Sequence, residues 1–134
     1  MTSKVTYLGN LRTENTHLQS GNTYITDAPL DNNGKGEAFS PTDTVATGLA
    51  NCMLTVMGIK AKQLQVNMDG TIAEVTKFMM ADPRRISKIK IVFKFPNELD
   101  SKNQKILEYT AKTCPVHFSL HPDIERDITF NFKA

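Results

Sequence analysis

The sequence predicts a single α+β domain in which strands and helices are segregated. Three observations lead there. Short alternating segments cluster at the N-terminus, with Ser20-Gly21 between residues 12–17 and 22–27 as a hairpin turn. A long apolar segment follows, opened by Ser40-Pro41-Thr42-Asp43. The second half then returns to a two-residue period, clearest at Ile89, Ile91, Phe93 and Phe95 against Lys88, Lys90 and Lys94. The chain has 134 residues, 40% of them apolar and 22% charged, which suits one globular domain spanning residues 1–134.

Taken in order, residues 4–8, 12–17 and 22–27 read as a three-stranded meander. Residues 29–36 contain Asp31-Asn32-Asn33-Gly34-Lys35-Gly36 and read as a loop. Ser40 is placed to cap a helix, with Pro41 at its first position and Asp43 completing a capping box. Its apolar residues, Val45, Ala46, Leu49, Ala50, Met53, Leu54, Val56, Met57 and Ile59, go all the way round, which predicts a helix buried on every side. Thr, Asn and Gly interrupt it, and it reads as too short for a membrane span. Gly48 stands one turn before Cys52 on the same face, a gap for a backbone or a ligand.

Leu64, Val66 and Met68 alternate with polar residues and predict a strand. Residues 71–80 and 86–95 predict two more, around a turn at Asp82-Pro83-Arg84-Arg85. A helix opens at Asp100 or Ser101 and runs to about Thr113. Pro115 disfavours helix at the residue before it, so Cys114 falls at a break, with a short helical piece from Pro115 to about Leu120. Residues 123–132 close the chain as a strand, with Ile128, Phe130 and Phe132 on one side. Most strand connections read as hairpins.

A net charge of +2 gives no argument for nucleic acid or an anionic membrane. Residues 1–6 show neither an apolar run nor a cleavage pattern, so no signal peptide and a cytoplasmic location are expected. In a reducing compartment Cys52 and Cys114 are buried thiols, metal ligands or a redox pair. Cys52 suits a small buried hydrophobe as well as a reactive thiol. Cys114, ahead of the N–H groups of a new helix, has donors that favour a thiolate. Cys114-x-x-His117 gives half a zinc pattern without its second half, so a metal site is not expected. His117 is also within sequence reach of Cys114 as a base, but no third member of a triad is marked. His17, His117 and His121 read as surface or turn residues.

Ser40-Pro41-Thr42-Asp43 leading through Gly48-Leu49-Ala50-Asn51-Cys52 resembles the first cysteine motif of the OsmC/Ohr family, the osmotically induced and organic hydroperoxide resistance proteins. Cys114-Pro115-Val116-His117 is similar to the second, whose core is Cys-Pro-Val. The order of elements matches over nearly the whole chain. The resemblance implies the OsmC-like fold, an intertwined homodimer and a thiol peroxidase for organic hydroperoxides. Cys52 would be the peroxidatic residue and Cys114 the resolving one. No bound cofactor is implied, but an external dithiol, of the lipoyl type, would reset the pair. The family also uses an Arg from the N-terminal strands, here Arg12, and a Glu ten residues before the first Cys, here Thr42. Asp43 is adjacent but is explained by the cap. Glu37, in the loop before the helix, is the substitute partner expected for Arg12. Leu49, Met53, Phe39 and Phe118 are expected either to line a pocket for the organic part of the substrate or to be core. The departure at Thr42 keeps a second reading open, a non-catalytic domain binding an apolar ligand.

Overall fold

The computed structural model describes residues 1–133, an α+β chain with two three-stranded sheets and three α-helices. It divides into two compact units, Met1–Val45 and Ala46–Ala134.

The first unit is the predicted meander. β1 (Ser3–Gly9), β2 (Arg12–His17) and β3 (Thr23–Asp27) pair antiparallel in the order β1-β2-β3. The second turn is closed by His17 N–H donating to Asn22 O at 2.8 Å. Register puts Val5, Asn15 and Tyr24 across one face, next to Tyr7, Thr13 and Thr26. The fully buried residues of this unit, Thr26, Asp27 and Ser40, are all polar. Val5, Tyr7 and Tyr24 are exposed. The loop after β3 carries a short 3-10 turn, Leu30–Asn32, and folds back on itself. Gly36 N–H donates to Ala28 O and Gly34 N–H to Pro29 O. A Cβ on Gly34 would stand 1.7 Å from Ala28 O, so only glycine allows this closure.

α1 (Pro41–Leu64) starts as the sequence predicts. Ser40 Oγ accepts from Asp43 N–H at 3.1 Å, and Asp43 Oδ2 accepts from Ser40 N–H at 2.9 Å. This is a reciprocal capping box with Asp as the acid. The helix is longer than expected because the alternation at Leu64, Val66 and Met68 is not a strand. Leu64 is still helical, and Val66 N–H is held by Ala61 O in the turn that follows. Its 24 residues, at about 1.5 Å each, are long enough to cross a bilayer core, so length does not argue against a span. Its inward stripe belongs to the protein core.

That stripe is one-sided, which corrects the expectation of burial all round. Ala46, Leu49, Ala50, Met53, Met57 and Ala61 are buried. Val45 and Ile59 are exposed, and Gly48, Cys52 and Val56 are half-buried. Apolar residues all round a helix need two covers, and the chain itself supplies one.

In the second unit β4 (Ile72–Met80), β5 (Arg85–Glu98) and β6 (Glu125–Lys133) form a sheet with β5 central. β5 alternates as predicted: Ile89, Ile91, Phe93 and Phe95 are buried with the α1 stripe. Phe93 stacks on Phe130 and Phe95 on Phe132, with ring centroids 5.3 and 4.3 Å apart. On the other face Lys94 pairs with Glu74 and Lys88 lies over Phe78. β4 and β5 are a hairpin, but β5 and β6 are parallel, not a hairpin pair. A parallel neighbour needs a crossover, and α2 (Ser101–Ala111) and α3 (Pro115–Ser119) provide it. Asp100 Oδ1 caps α2 by accepting from Asn103 N–H. Leu107, Ala111 and Cys114 complete the core.

Ser40→Ala removes one half of the reciprocal cap. It should cost about 1 kcal/mol in urea denaturation, with the helical signal retained.

Candidate functional site

Two chemically distinct clusters stand out, one in each unit. In the first, β2 and β3 put Arg12 directly opposite Asp27. Arg12 Nη2 lies 3.4 Å from Asp27 Oδ2 and 3.1 Å from Glu37 Oε1. The ion pair with Glu37 is the one the sequence led us to expect, although the guanidinium meets each carboxylate through the same nitrogen rather than in a bidentate fork. Asp27 is a residue that sequence reasoning missed. It is 1% exposed, whereas Glu37 is 57% exposed. Asp27 Oδ2 also accepts from Glu37 N–H at 3.1 Å, and Asp27 N–H donates to Phe39 O. One buried carboxylate oxygen therefore holds both the guanidinium and the loop that carries Glu37. Its other oxygen, Oδ1, is buried without a partner. The signal was present in the sequence: strands joined through Ser20-Gly21 place residue 12 across from residue 27, and opposite charges facing each other across strands stabilise a sheet. Thr42, at the family's Glu position, shares a hydrogen bond with Ser40 Oγ, and Asp43 closes the helix cap.

In the second unit the two cysteines come together. Both are free thiols. Cys52 is half-buried on the outward stripe of α1, and Gly48, one turn earlier, has open space above it. Cys114 is completely buried. It is the N-cap of α3, as Pro115 at the first helical position requires, and its Sγ accepts from His117 N–H at 3.3 Å. Cys52 is its neighbour, close enough to act on its titration. The outcome for Cys114 differs from the sequence expectation. Burial pushes its pKa up, and the proximity of Cys52 adds to that, against the lowering by the His117 and Val116 N–H groups. Desolvation of a thiolate outweighs two backbone donors, so Cys114 keeps its proton at neutral pH.

The histidines divide. His17 Nδ1 bonds Ser20 Oγ in the β2–β3 turn, and His121 Nδ1 accepts from Asp123 N–H, so both are turn residues as read. His117 is not a surface residue. It is half-buried beside Arg126, and burial together with that positive charge lowers its pKa. Of the residues expected to line a pocket or to be core, Leu49 and Met53 are core, and Phe39 and Phe118 are exposed. Among the described residues no three His, Cys, Asp or Glu side chains are grouped as metal ligands.

Comparison with known proteins bears on family and fold. The family model described as OsmC-like protein matches residues 34–129. No curated protein matches the chain. A crystal structure from Psychrobacter arcticus, provisionally described as an osmotic stress induced and detoxification response protein, is 60% identical, with a TM-score of 0.94 over 97% of this chain and 95% of that one. The organic hydroperoxide resistance protein OsmC of Legionella pneumophila is 14% identical, with a TM-score of 0.76 over 98% of this chain and 97% of that one. The organic hydroperoxide resistance protein OhrB of Bacillus subtilis is 20% identical, with a TM-score of 0.71 over 97% and 98%. The last two likenesses are of fold. With a family match over most of its length and a 60% identical relative, the chain belongs to the OsmC-like protein family.

Proposed function

We propose that this protein is a thiol peroxidase that reduces organic hydroperoxides through Cys52 and Cys114. The observation that carries the reading is the pair of neighbouring free thiols with unequal access to solvent. The names of the Legionella and Bacillus proteins support the substrate class.

Accessibility decides the order of the steps. Cys52 is the thiol a substrate can reach, and Cys114 is buried and protonated. In the proposed cycle the Cys52 thiolate attacks the terminal oxygen of the hydroperoxide. The O–O bond breaks, the alkoxide leaves and takes up a proton as the alcohol, and Cys52 becomes a sulfenic acid. Cys114 sulfur then attacks Cys52 sulfur. The S–O bond breaks, and the departing hydroxide leaves as water with the Cys114 proton. An external dithiol, of the lipoyl type, returns the disulfide to two thiols by exchange. Arg12 enters the proposal through the family resemblance, as the guanidinium that steadies developing negative charge. Asp27 is the buried anchor that aims it, and Glu37 is the exposed second carboxylate. A homodimer in the cytoplasm completes the reading. The β1–β3 sheet supports that dimer, since it buries no apolar residue fully and leaves Val5, Tyr7 and Tyr24 exposed on one face.

Organic hydroperoxide added to reduced protein should consume two thiols per chain and form an intramolecular disulfide, read by mass spectrometry. Cys52→Ser should fall to the uncatalysed background, and Cys114→Ser should accumulate a trappable sulfenic acid at Cys52. Thiols that persist under excess hydroperoxide would leave the chain an apolar-ligand binding domain instead.

Alkylation of the reduced protein at pH 7 should label Cys52 first. A raised pKa delays the thiolate, so Cys114 labelling should begin only well above the ordinary thiol value of about 8.5.

Asp27→Ala should cost about 1.5–3 kcal/mol in urea denaturation, since two hydrogen bonds to a buried carboxylate are lost. Glu37→Gln should cost under about 1 kcal/mol, as for an exposed ion pair. Both variants should slow the peroxide step and leave disulfide reduction unchanged.

A further inference from the structure

A second polar cluster lies in the Ala46–Ala134 unit, and the redox reading does not use its side chains. Residues Met53, Lys112, His117, Arg126 and Ile128 line a cavity of about 220 Å³. Arg126 is on the helix-facing side of β6, in line with Ile128 and Phe130 and opposite Ile89 of β5. That side of the sheet is mostly apolar, with Lys77 of β4 across Ile89 as a second cation, and a charge at the centre of the α3–β6 contact is uncommon. Its guanidinium is fixed in direction, because Nη2 donates to His117 O at 3.1 Å and to Leu120 O at 3.3 Å. Two neutral carbonyls leave the positive charge unbalanced. Among the described residues no carboxylate pairs with Arg126 or with Lys112. Arg126 Nε and His117 Nδ1 are both buried and have no hydrogen-bond partner. The Lys112 ammonium lies 5.9 Å from the centre of the Phe130 ring, at the exposed end of the cluster.

We propose that this cavity is a binding site for one small oxyanion group, a phosphate or a carboxylate, held by Arg126, His117 and Lys112. The cluster supplies donors and positive charge without an acceptor, and an oxyanion supplies the missing acceptors through charge-assisted hydrogen bonds. The volume sets the size of the guest. It is several times the roughly 30 Å³ share of one water, yet below the range of about 300–1,000 Å³ for drug-sized ligands. Met53 and Ile128 give the cavity an apolar floor, so the ion would be partly desolvated and strongly felt by Arg126. Neutral imidazole has one N–H, so an anion at Nδ1 selects the Nδ1–H tautomer. It also opposes the lowering of the His117 pKa by burial and by Arg126. The site stands whether or not the thiols are catalytic.

The test uses the full chain, reduced and labelled with nitrogen-15, at pH 7. Sodium phosphate and sodium acetate are titrated separately against sodium chloride at constant ionic strength. The His117 ring nitrogens and Arg126 Nε are followed by NMR. Saturable shifts at both residues with phosphate, acetate or both, and a move to the Nδ1–H tautomer, are the expected result. A response to one of the two identifies the group. Lys112→Gln, at an exposed position, should keep the fold and weaken binding about tenfold. Arg126→Gln should abolish binding. Responses no larger than those to chloride would mean that water alone occupies the cavity, and full affinity in Lys112→Gln would place the ion elsewhere. Either result overturns the proposal.

Discussion

The nearness of two thiols, one half-buried and one sealed in the core, is the constraint on which the proposed chemistry depends. It needs α1 and the α2–α3 break to meet in one core. Pro115 is what makes the break. It cannot continue α2 and is suited to start α3, so Cys114 is forced into the N-cap position and its sulfur turns inward toward α1. Leu107 and Ala111, also fully buried, fix the last turns of α2 beside it. The N-cap by itself would favour a thiolate. Complete burial reverses that balance, and the result is a proton held at Cys114. In the proposed cycle a resolving thiol in this position would be protected from direct oxidation and would act only once a sulfenic acid had formed next to it. Burial, more than intrinsic reactivity, separates the two roles.

Much of this was legible in the sequence, and the parts that were not have physical reasons. The meander, the capping box, the alternation of β5 and the break at Cys114 all rest on local rules, and each is where those rules put it. The Arg12–Glu37 ion pair was also within reach, because a departure at Thr42 sent attention to the nearest flexible carboxylate. Asp27 was missed although the hairpin register alone placed it opposite Arg12. A charged residue at a strand end looks like a turn residue until the pairing is drawn. Leu64 to Met68 misled because a two-residue period over so short a stretch also fits the last helical turn and an extended connector. The pairing of β6 is non-local: the helices before it mark a crossover rather than a hairpin, but its own alternation does not say which strand it joins. The meeting of His117 with Arg126 was invisible for the same reason. They are nine residues apart and meet only after α3 has turned back over the sheet.

The one-sided burial of α1 has a similar origin. An apolar circumference tells how much surface must be covered, not what covers it. Within the chain the stripe of Ala46, Leu49, Ala50, Met53 and Met57 is covered, and the stripe through Val45, Gly48, Cys52 and Ile59 is not. The reactive thiol candidate sits on the uncovered stripe, beside a glycine with nothing above it. A side chain at position 48 would occupy the space from which a substrate would approach Cys52. Glycine there weakens a helix interior by roughly 1 kcal/mol, and an added Cβ would meet no neighbour within 4 Å.

The buried polar atoms that lack a partner follow a pattern too. Among the described residues these are Asp27 Oδ1, His117 Nδ1 and Arg126 Nε. A native fold leaves few such atoms, and each one asks for an explanation. Here they fall in two places only, one anionic and one cationic. Asp27 already has a cation and an N–H on its other oxygen, so its spare lone pairs are a modest cost to a group whose charge is balanced. Arg126 has no such balance, because carbonyl oxygens satisfy its hydrogens without neutralising its charge. An uncompensated buried charge is far more expensive than an unsatisfied neutral group. Arg126 is half-buried with its Nε shielded, and such a charge beside a cavity, with a histidine nitrogen also unsatisfied, is better explained by something that binds there than by packing. That asymmetry is why the Arg126 cluster, and not the Asp27 oxygen, is the place to look for a ligand.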